Sequence, residues 1–503
     1  MPLAKRWLND CVTSHPSCPK SLISRLPTRI LDLSAFDGTS DLRLQVDVKN
    51  YGCYATLSHC WGDSQPLVLN KDTYDEFQHK IPYESLPKTF RDAVTTTRLL
   101  GLKYLWIDSM CIRQDCKRDW EEQCAEMGRI YKDSFVTLAG AAASGCESGF
   151  LHPRNTGYEI MIQPSDGRSP CQLVLSHRGI DEDPLTLSPE QNSPLSTRAW
   201  VLQERLLSGR VLYFGTKNMY LECFTNVRFD NCHYATKWDS AEVDIVVKCA
   251  TNQLRSQTSC FEYWASLVTT YSMLNLTHIT DRLPALSGLA SDFQSAADSR
   301  YLAGVWDKDI PRALSWYVPP WGDLAFITSS TSSCYIAPSW SWAAAKFGVE
   351  FVNYRYENQF CSDLDIVATK VTPTGLDKFG AVEGGSIEAY GRIRSGLIKE
   401  LPDLVVPGRR TLYLLSGNSA VSVLAIYAPD DAGRFEGREF TVLLLYLGTV
   451  SVGSVIAMAV KPVVGKCNTY ERVGLAFSFS GHGSSHAFKA YFYDVAKTRI
   501  LMV

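Results

Sequence analysis

The 503-residue chain has no basic block: Lys plus Arg number 50 against 53 Asp plus Glu, a formal net charge of −3. Nucleic-acid binding therefore has no electrostatic footing. The first residues, MPLAKRWLNDCVTSHPSCPK, hold no continuous apolar core, so a secretory signal is not expected there. There is no P-loop and no GxGxxG, and no internal repeat at a period of roughly 20 to 50 residues. Residues 440–460 carry no charge over about the length that crosses a bilayer. They are rich in Val and interrupted by Gly448 and Gly453, so strand, turn, strand is expected there and no membrane span. The 16 cysteines lie scattered through predicted strands and helices rather than in a compact framework. Reduced thiols and a cytoplasmic setting are the expectation.

What is present is a globular composition, with 45% hydrophobic and 20% charged residues. The length calls for two or three domains. The chain is organised around residues 103–143, KYLWIDSMCIRQDCKRDWEEQCAEMGRIYKDSFVTLAGAAA. Lys103 to Ile107 reads as a buried strand closed by Asp108, and a carboxylate where a parallel strand ends lies where open α/β folds bind ligands. A loop with Cys111, Gln114 and Asp115 is expected next. A helix from about Arg118 follows, with Trp120, Cys124, Met127 and Tyr131 on one face and Glu121, Glu122 and Glu126 mostly off it. Phe135 to Ala143 is a second buried strand.

Two flanking blocks repeat this logic. YATLSHCWG (Tyr54 to Gly62) is a strand ending in His59, Cys60 and Trp61. RAWVLQERLLSGRVLYF (Arg198 to Phe214) is a helix, a Ser208-Gly209 stop and a strand. Between the first two blocks, Phe90, Ala93, Val94, Thr97 and Leu100 stripe a helix that Gly101 ends. This βαβαβ order predicts a doubly wound parallel sheet. Ahead of it, two edge strands are expected near Leu26 to Asp32 and Leu42 to Leu44, around a turn at 37–40. Beyond it come a polar loop at 181–194, helical periodicity through Phe261, Trp264, Leu267 and Tyr271, and strands from about 334. The expected divisions are a leader at 1–50 packing on the domain, an α/β domain at 51–230, a helical extension at 231–333 and a β-rich domain at 334–503.

Taken together and in this order, YATLSHCWG, LPKTFRDAV, YLWIDSMCIRQD, the Trp120-x-x-Gln123-x-x-x-Met127-x-x-Ile130-Tyr131 spacing and RAWVLQERLLSGRVLYF resemble the fungal heterokaryon-incompatibility (HET) domain. DRLPALSGLA, YLAGVW and PSWSWA are similar to the C-terminal extension common in such proteins. The resemblance implies an effector of non-self recognition and programmed cell death. Through the domain's distant similarity to Toll/interleukin-receptor (TIR) domains, it also implies a flavodoxin-like sheet and NAD cleavage by a carboxylate, with NAD as a substrate; the residues name no certain cofactor. This chain shows neither a nucleotide-binding oligomerisation module nor repeats, so a separate allelic or sensor partner would trigger it. Two other readings stand beside this one: an enzyme of fungal specialised metabolism acting on a small molecule, and a non-catalytic interaction module.

The candidate catalytic residues are Asp108, Glu204, Glu122, His59 and Cys60. Carboxylates suit an oxocarbenium-like centre, and a His and Cys pair oriented by an aspartate suits nucleophilic catalysis. Against this, Cys60 and Cys111 also read as small core residues, His59 as structural, and the helix carboxylates as a solvated face. The position matching the family's Trp-x-x-[Glu/Gln] spacing is Gln123, which exchanges no proton. Ligand-binding candidates are Trp61, Cys111, Gln114, Arg198, Trp200, Gln203 and Arg205. Trp200 and Glu204 share a helix face. They read equally as a ribosyl-holding pair or as a core Trp beside a buried Glu–Arg pair. No metal is expected: Cys111-x4-Cys116-x7-Cys124 is not a standard ligand spacing. Trp340 and Trp342 read as inter-domain packing, and 481–486 as a glycine-rich loop.

Overall fold

The computed structural model describes residues 1–21, 23–36, 40–62, 67–153, 158–162, 171–175, 193–216, 218–230, 236–237, 257–319, 334–352, 360–400, 412–416, 422–429, 439–450, 454–478 and 488–503. The expected turn at 37–40 falls mostly outside these residues, as do most of the loop at 181–194 and all of 481–486. The chain divides into two compact units, Met1–Asn252 and Gln253–Val503.

The first unit opens with helix α1 (Pro2–Ser14), then strands β1 (Ser24–Arg25), β2 (Ile30–Asp32), β3 (Arg43–Gln45), β4 (Tyr51–Gly52) and β5 (Tyr54–Ser58). Helices α2 (Tyr74–His79) and α3 (Lys88–Leu100) lead to β6 (Tyr104–Trp106). Then come a short helix α4 (Asp108–Cys111), α5 (Lys117–Asp133) and β7 (Val136–Ala139). A separate hairpin, β8 (Tyr158–Ile162) and β9 (Cys171–Leu175), precedes α6 (Ala199–Leu207). The unit continues with β10 (Arg210–Phe214), β11 (Met219–Cys223), β12 (Asn226–Phe229) and β13 (Thr236–Lys237).

Nine of these strands form one sheet in the order β13-β12-β11-β10-β7-β5-β6-β2-β3. Its four middle strands, β10, β7, β5 and β6, run parallel. The flanks are antiparallel: β2 and β3 on one side, β11 to β13 on the other. The sheet is therefore mixed, where the βαβαβ pattern had predicted a parallel one. On the β11 to β13 side the cause is local, because the short links from β10 to β11 and from β11 to β12 leave room only for hairpins, and hairpins pair antiparallel. β2 is also not an edge strand, since β3 pairs along its outer side.

Every residue of β5, β7 and β10 is buried. A parallel sheet covered on both faces requires this, and it explains the near-continuous apolar runs that mark these strands in the sequence. Their few polar groups are satisfied in a chain. Thr56 Oγ1 lies 2.7 Å from Thr137 Oγ1, Thr137 Oγ1 lies 2.6 Å from Ser208 Oγ, and Ser208 Oγ donates to the Glu204 carbonyl at 2.6 Å. The first fifty residues join the same core: Ala4, Trp7, Leu8, Leu26, Ile30 and Leu31 are buried in one cluster with β5, β6 and β7. Arg29 fixes them further. Its Nε donates to the Cys111 carbonyl at 2.6 Å, and its two terminal nitrogens grip Asp119 at 2.8 and 2.6 Å.

The second unit is β-rich. A helix at Gln257–Ser272 and one at Ser287–Ala297 precede a ten-stranded, almost wholly antiparallel sheet. The described residues 440–449 and 455–460 belong to two paired strands of it, Glu439–Thr449 and Val455–Pro462. Trp340 and Trp342 are fully buried. The Trp342 indole donates to the Gly304 carbonyl at 2.8 Å, and the Trp340 carbonyl accepts from the Trp316 indole at 3.0 Å, contacts inside this unit. Among the described residues, no helix is long and apolar enough to cross a membrane.

Candidate functional site

In chain order the parallel strands are β5, β6, β7 and β10, and across the sheet they run second, first, third, fourth. The winding direction reverses between β5 and β7. Open α/β sheets bind ligands beyond the carboxyl ends of the strands at such a reversal. The residues just past β5 are His59, Cys60 and Trp61, and just past β6 is Asp108.

Asp108 opens α4 rather than closing a strand. Its Oδ2 accepts the Trp61 indole N–H at 3.0 Å and its Oδ1 the Ser109 amide at 2.7 Å. The side chain keeps 23% exposure, so the carboxylate is oriented from inside and open to solvent on one side. Trp61 is half-buried. The loop behind it is held by a contact between glycines: a Cβ on Gly62, at φ +75°, would sit 2.8 Å from the Gly145 Cα. The Cys146 amide donates to the Trp61 carbonyl at 3.3 Å.

His59 is buried, its ring edge-on to Phe90 with centroids 5.1 Å apart and its Nδ1 3.9 Å from Asp108 Oδ1. Burial pulls its pKa down to about 4 against an upward pull from Asp108, so the imidazole is neutral at ordinary pH. Its Nε2 has no hydrogen-bond partner. Cys60 goes elsewhere. β5 has ended, and the thiol lies in a cluster with Ala139, Val201 and Tyr213. Burial raises its pKa, partly opposed by Arg198. His59 and Cys60 are thus neighbours in sequence whose side chains enter different clusters.

Glu204 arrives from α6. It is buried, and Oε2 has no hydrogen-bond partner. Burial raises its carboxyl to about 7, the Ser58 and Tyr131 hydroxyls and the Arg198 guanidinium pull it back, and the charge of Asp108 pushes it further up. Arg198, at the N-cap of α6, donates from Nη1 to the His59 carbonyl at 2.5 Å, which ties α6 to the end of β5. Ser58, His59, Trp61, Asp108, Arg198 and Glu204 therefore meet at one end of the sheet.

The other expected residues lie apart from that meeting point or turn inward. Cys111 is not in a loop but at the end of α4, fully buried, its thiol raised to about 12 by burial. Gln114 Nε2 donates to the Ile112 carbonyl at 3.0 Å, a local tether. Glu122 is ion-paired with Arg118 at 2.9 Å on the solvent side of α5. Gln203 is fully buried, and Trp200 is half-buried against the main core. Arg205 does not pair with Glu204. Its Nε reaches the buried Glu222 carboxylate at 3.2 and 3.1 Å, and Tyr213 also donates to that carboxylate at 2.9 Å. The buried Glu–Arg pair thus joins α6 to β11 and leaves Glu204 to the rim. Sequence reasoning also passed over Ser58 and Tyr131, which looked like plain strand and stripe residues.

An α/β unit with convergent acidic groups beyond its parallel strands is the class this geometry defines. Residues 54–204 match the family described as Heterokaryon incompatibility protein (HET), so the chain carries a HET domain over that segment. No curated protein matches it, and neither does any solved structure.

Proposed function

We propose that the chain is an effector of non-self recognition that kills by hydrolysing the nicotinamide–ribose bond of NAD, on a flavodoxin-like sheet. The observation that carries this reading is the pair formed by Asp108 and Glu204, two carboxyl groups in contrasting environments at the strand reversal. The second-first-third-fourth strand order supports the sheet assignment.

The chemistry asks for little. The C1′–N bond breaks with its electron pair passing to the nicotinamide nitrogen, which leaves neutral. The ribosyl centre becomes oxocarbenium-like and needs a facing negative charge. Asp108, held by Trp61 and open to solvent on one side, supplies that charge. A water then bonds to C1′ and gives up a proton, and a group titrating near 7 is matched to receive it. Glu204 is that base, and the products are ADP-ribose, nicotinamide and a proton.

The test is NAD consumption by the purified full-length chain, with nicotinamide measured directly. Wild type and Glu122→Gln should turn NAD over, whereas Glu204→Gln and Asp108→Asn should not. Absence of wild-type turnover, alone and with a candidate allelic partner added, would overturn the reading and favour a different small-molecule substrate.

A further inference from the structure

Away from the rim, α1 ends where β11 ends, and four side chains meet there. Cys11 lies in the last turns of α1, His15 caps it, Cys18 follows in the next turn, and Cys223 closes β11. All four are buried, and their ligand atoms lie within 4.8 Å of one another. Among the described residues this is the one grouping of three or more Cys, His or acidic side chains with metal-ligand geometry. We propose that Cys11, His15, Cys18 and Cys223 bind one zinc ion in a closed, structural site that fastens the chain's first twenty residues to the HET-domain sheet.

The distances are those of a tetrahedron. Bonds of about 2.3 Å to sulfur and about 2.0–2.1 Å to nitrogen put neighbouring S and N ligands roughly 3.6 Å apart. Cys223 Sγ and Cys18 Sγ lie 3.4 and 3.8 Å from His15 Nδ1. Three thiols and one imidazole make a standard structural zinc set, and the Cys-x3-His-x2-Cys spacing places three ligands on one helix end.

The surroundings point the same way. His15 Nε2 faces the side-chain amide of Asn226 at 3.3 Å, and the same amide lies 3.6 Å from Cys223 Sγ on its other side. Turning that amide over, an assignment its shape leaves free, lets its oxygen accept from Nε2–H while its NH₂ donates to a Cys223 thiolate. That is the outer-shell pattern of a metal-bound histidine. The Thr225 amide donates to Cys223 Sγ at 3.5 Å, and Arg210 Nε donates to Cys11 Sγ at 3.3 Å. Arg210 is 1% exposed, and no carboxylate is among its hydrogen-bond partners, which are Cys11 and the Phe135 and Pro19 carbonyls. A zinc ion with three thiolates carries one net negative charge, and the buried guanidinium balances it.

With four protein ligands the ion has no open position, so its role is structural rather than catalytic. It would hold Pro19 against Gly209, where a Cβ would come within 2.8 Å of the proline ring, at the turn between α6 and β10. Glu204 lies in the last turn of that helix, one turn before the contact.

The test is metal content of the full-length protein purified without chelator. Wild type and Cys124→Ser, a buried thiol outside the cluster, should carry about one zinc per chain. Cys18→Ser and Cys223→Ser should each lose at least tenfold. Wild type with less than about a tenth of an equivalent after growth in added zinc would overturn the proposal, as would undiminished zinc in both variants. If the variants prove insoluble, cobalt(II) replacement in wild type decides: intense tetrahedral bands with thiolate charge transfer support the site, and weak octahedral bands refute it.

Discussion

The Trp61 indole and the Asp108 carboxylate, each just beyond the end of a neighbouring parallel strand, are joined at 3.0 Å. The bond spans the gap between β5 and β6 and aims one carboxylate oxygen. Trp61→Phe removes it while keeping an aromatic ring, and Asp108→Asn keeps the shape while removing the charge. Both variants should fold, with a stability loss of about 1.5–3 kcal/mol at most, the range for a hydrogen bond to a charged group. Asp108→Asn should lower NAD turnover by about 10²- to 10³-fold, and Trp61→Phe by less. Far-UV circular dichroism beside turnover separates the two effects, and full activity in Asp108→Asn would remove this residue from the site.

Two buried groups give stability opposite pH dependences. Glu204 rises from 4.5 to about 7 on folding. The folded state keeps its proton where the unfolded state loses it, so this contribution is full below the lower value and is lost as pH rises to about 7. His59 falls from 6.5 to about 4. Its contribution is full above 6.5 and is lost as pH falls toward 4. Each spans about 3 kcal/mol as an upper bound. Between roughly pH 4.5 and 6.5 the two slopes oppose one another. Relative to wild type, Glu204→Gln should therefore steepen the rise of stability with pH there, and His59→Asn should tilt it downward. Denaturant midpoints at half-unit pH steps measure this, and parallel curves for all three proteins would contradict it.

Gly62→Ala should disrupt the rim without touching a polar group. The added carbon meets backbone 2.8 Å away, and φ is +75°. Neither strain can be relieved by a side-chain rotation. A loss of about 1–3 kcal/mol is expected, with turnover falling more than for Gly101→Ala, whose Cβ would meet open space.

Cysteine labelling should split by exposure. Cys334, Cys361 and Cys467 are exposed and should react with iodoacetamide at pH 7.5. Cys60 and Cys111, whose thiols burial pushes up, should not. Peptide mapping gives the answer, and rapid labelling of Cys60 in the folded chain would revive a nucleophilic role for it.

The sequence made the sheet's middle legible because burial on both faces writes itself as unbroken apolar runs, and α5 legible because its stripe keeps helical spacing. It could not separate Glu204 from Arg205. The two charges are adjacent on α6, and only the arrival of Glu222 from β11 shows which one turns toward the sheet's hairpin and which stays inside with one oxygen unbonded. The parallel expectation failed beyond β10 because strand direction there is fixed by link length, not by hydrophobicity. The thiol cluster escaped for a related reason: three of its members lie close in sequence, but the fourth stands on a strand far along the chain.

The matched segment, 54–204, ends before β10 begins and starts after β3 ends. Cutting the chain to those bounds would strip the partners from β7 on one side and from β6 on the other. It would bare the backbone of Val136–Ala139, a strand with every side chain apolar or buried. Such a fragment would be a template for intermolecular pairing, and it should precipitate rather than fold. A soluble expression fragment has to run from α1 through at least β12, because the recognisable motif is smaller than the piece of protein able to stand by itself.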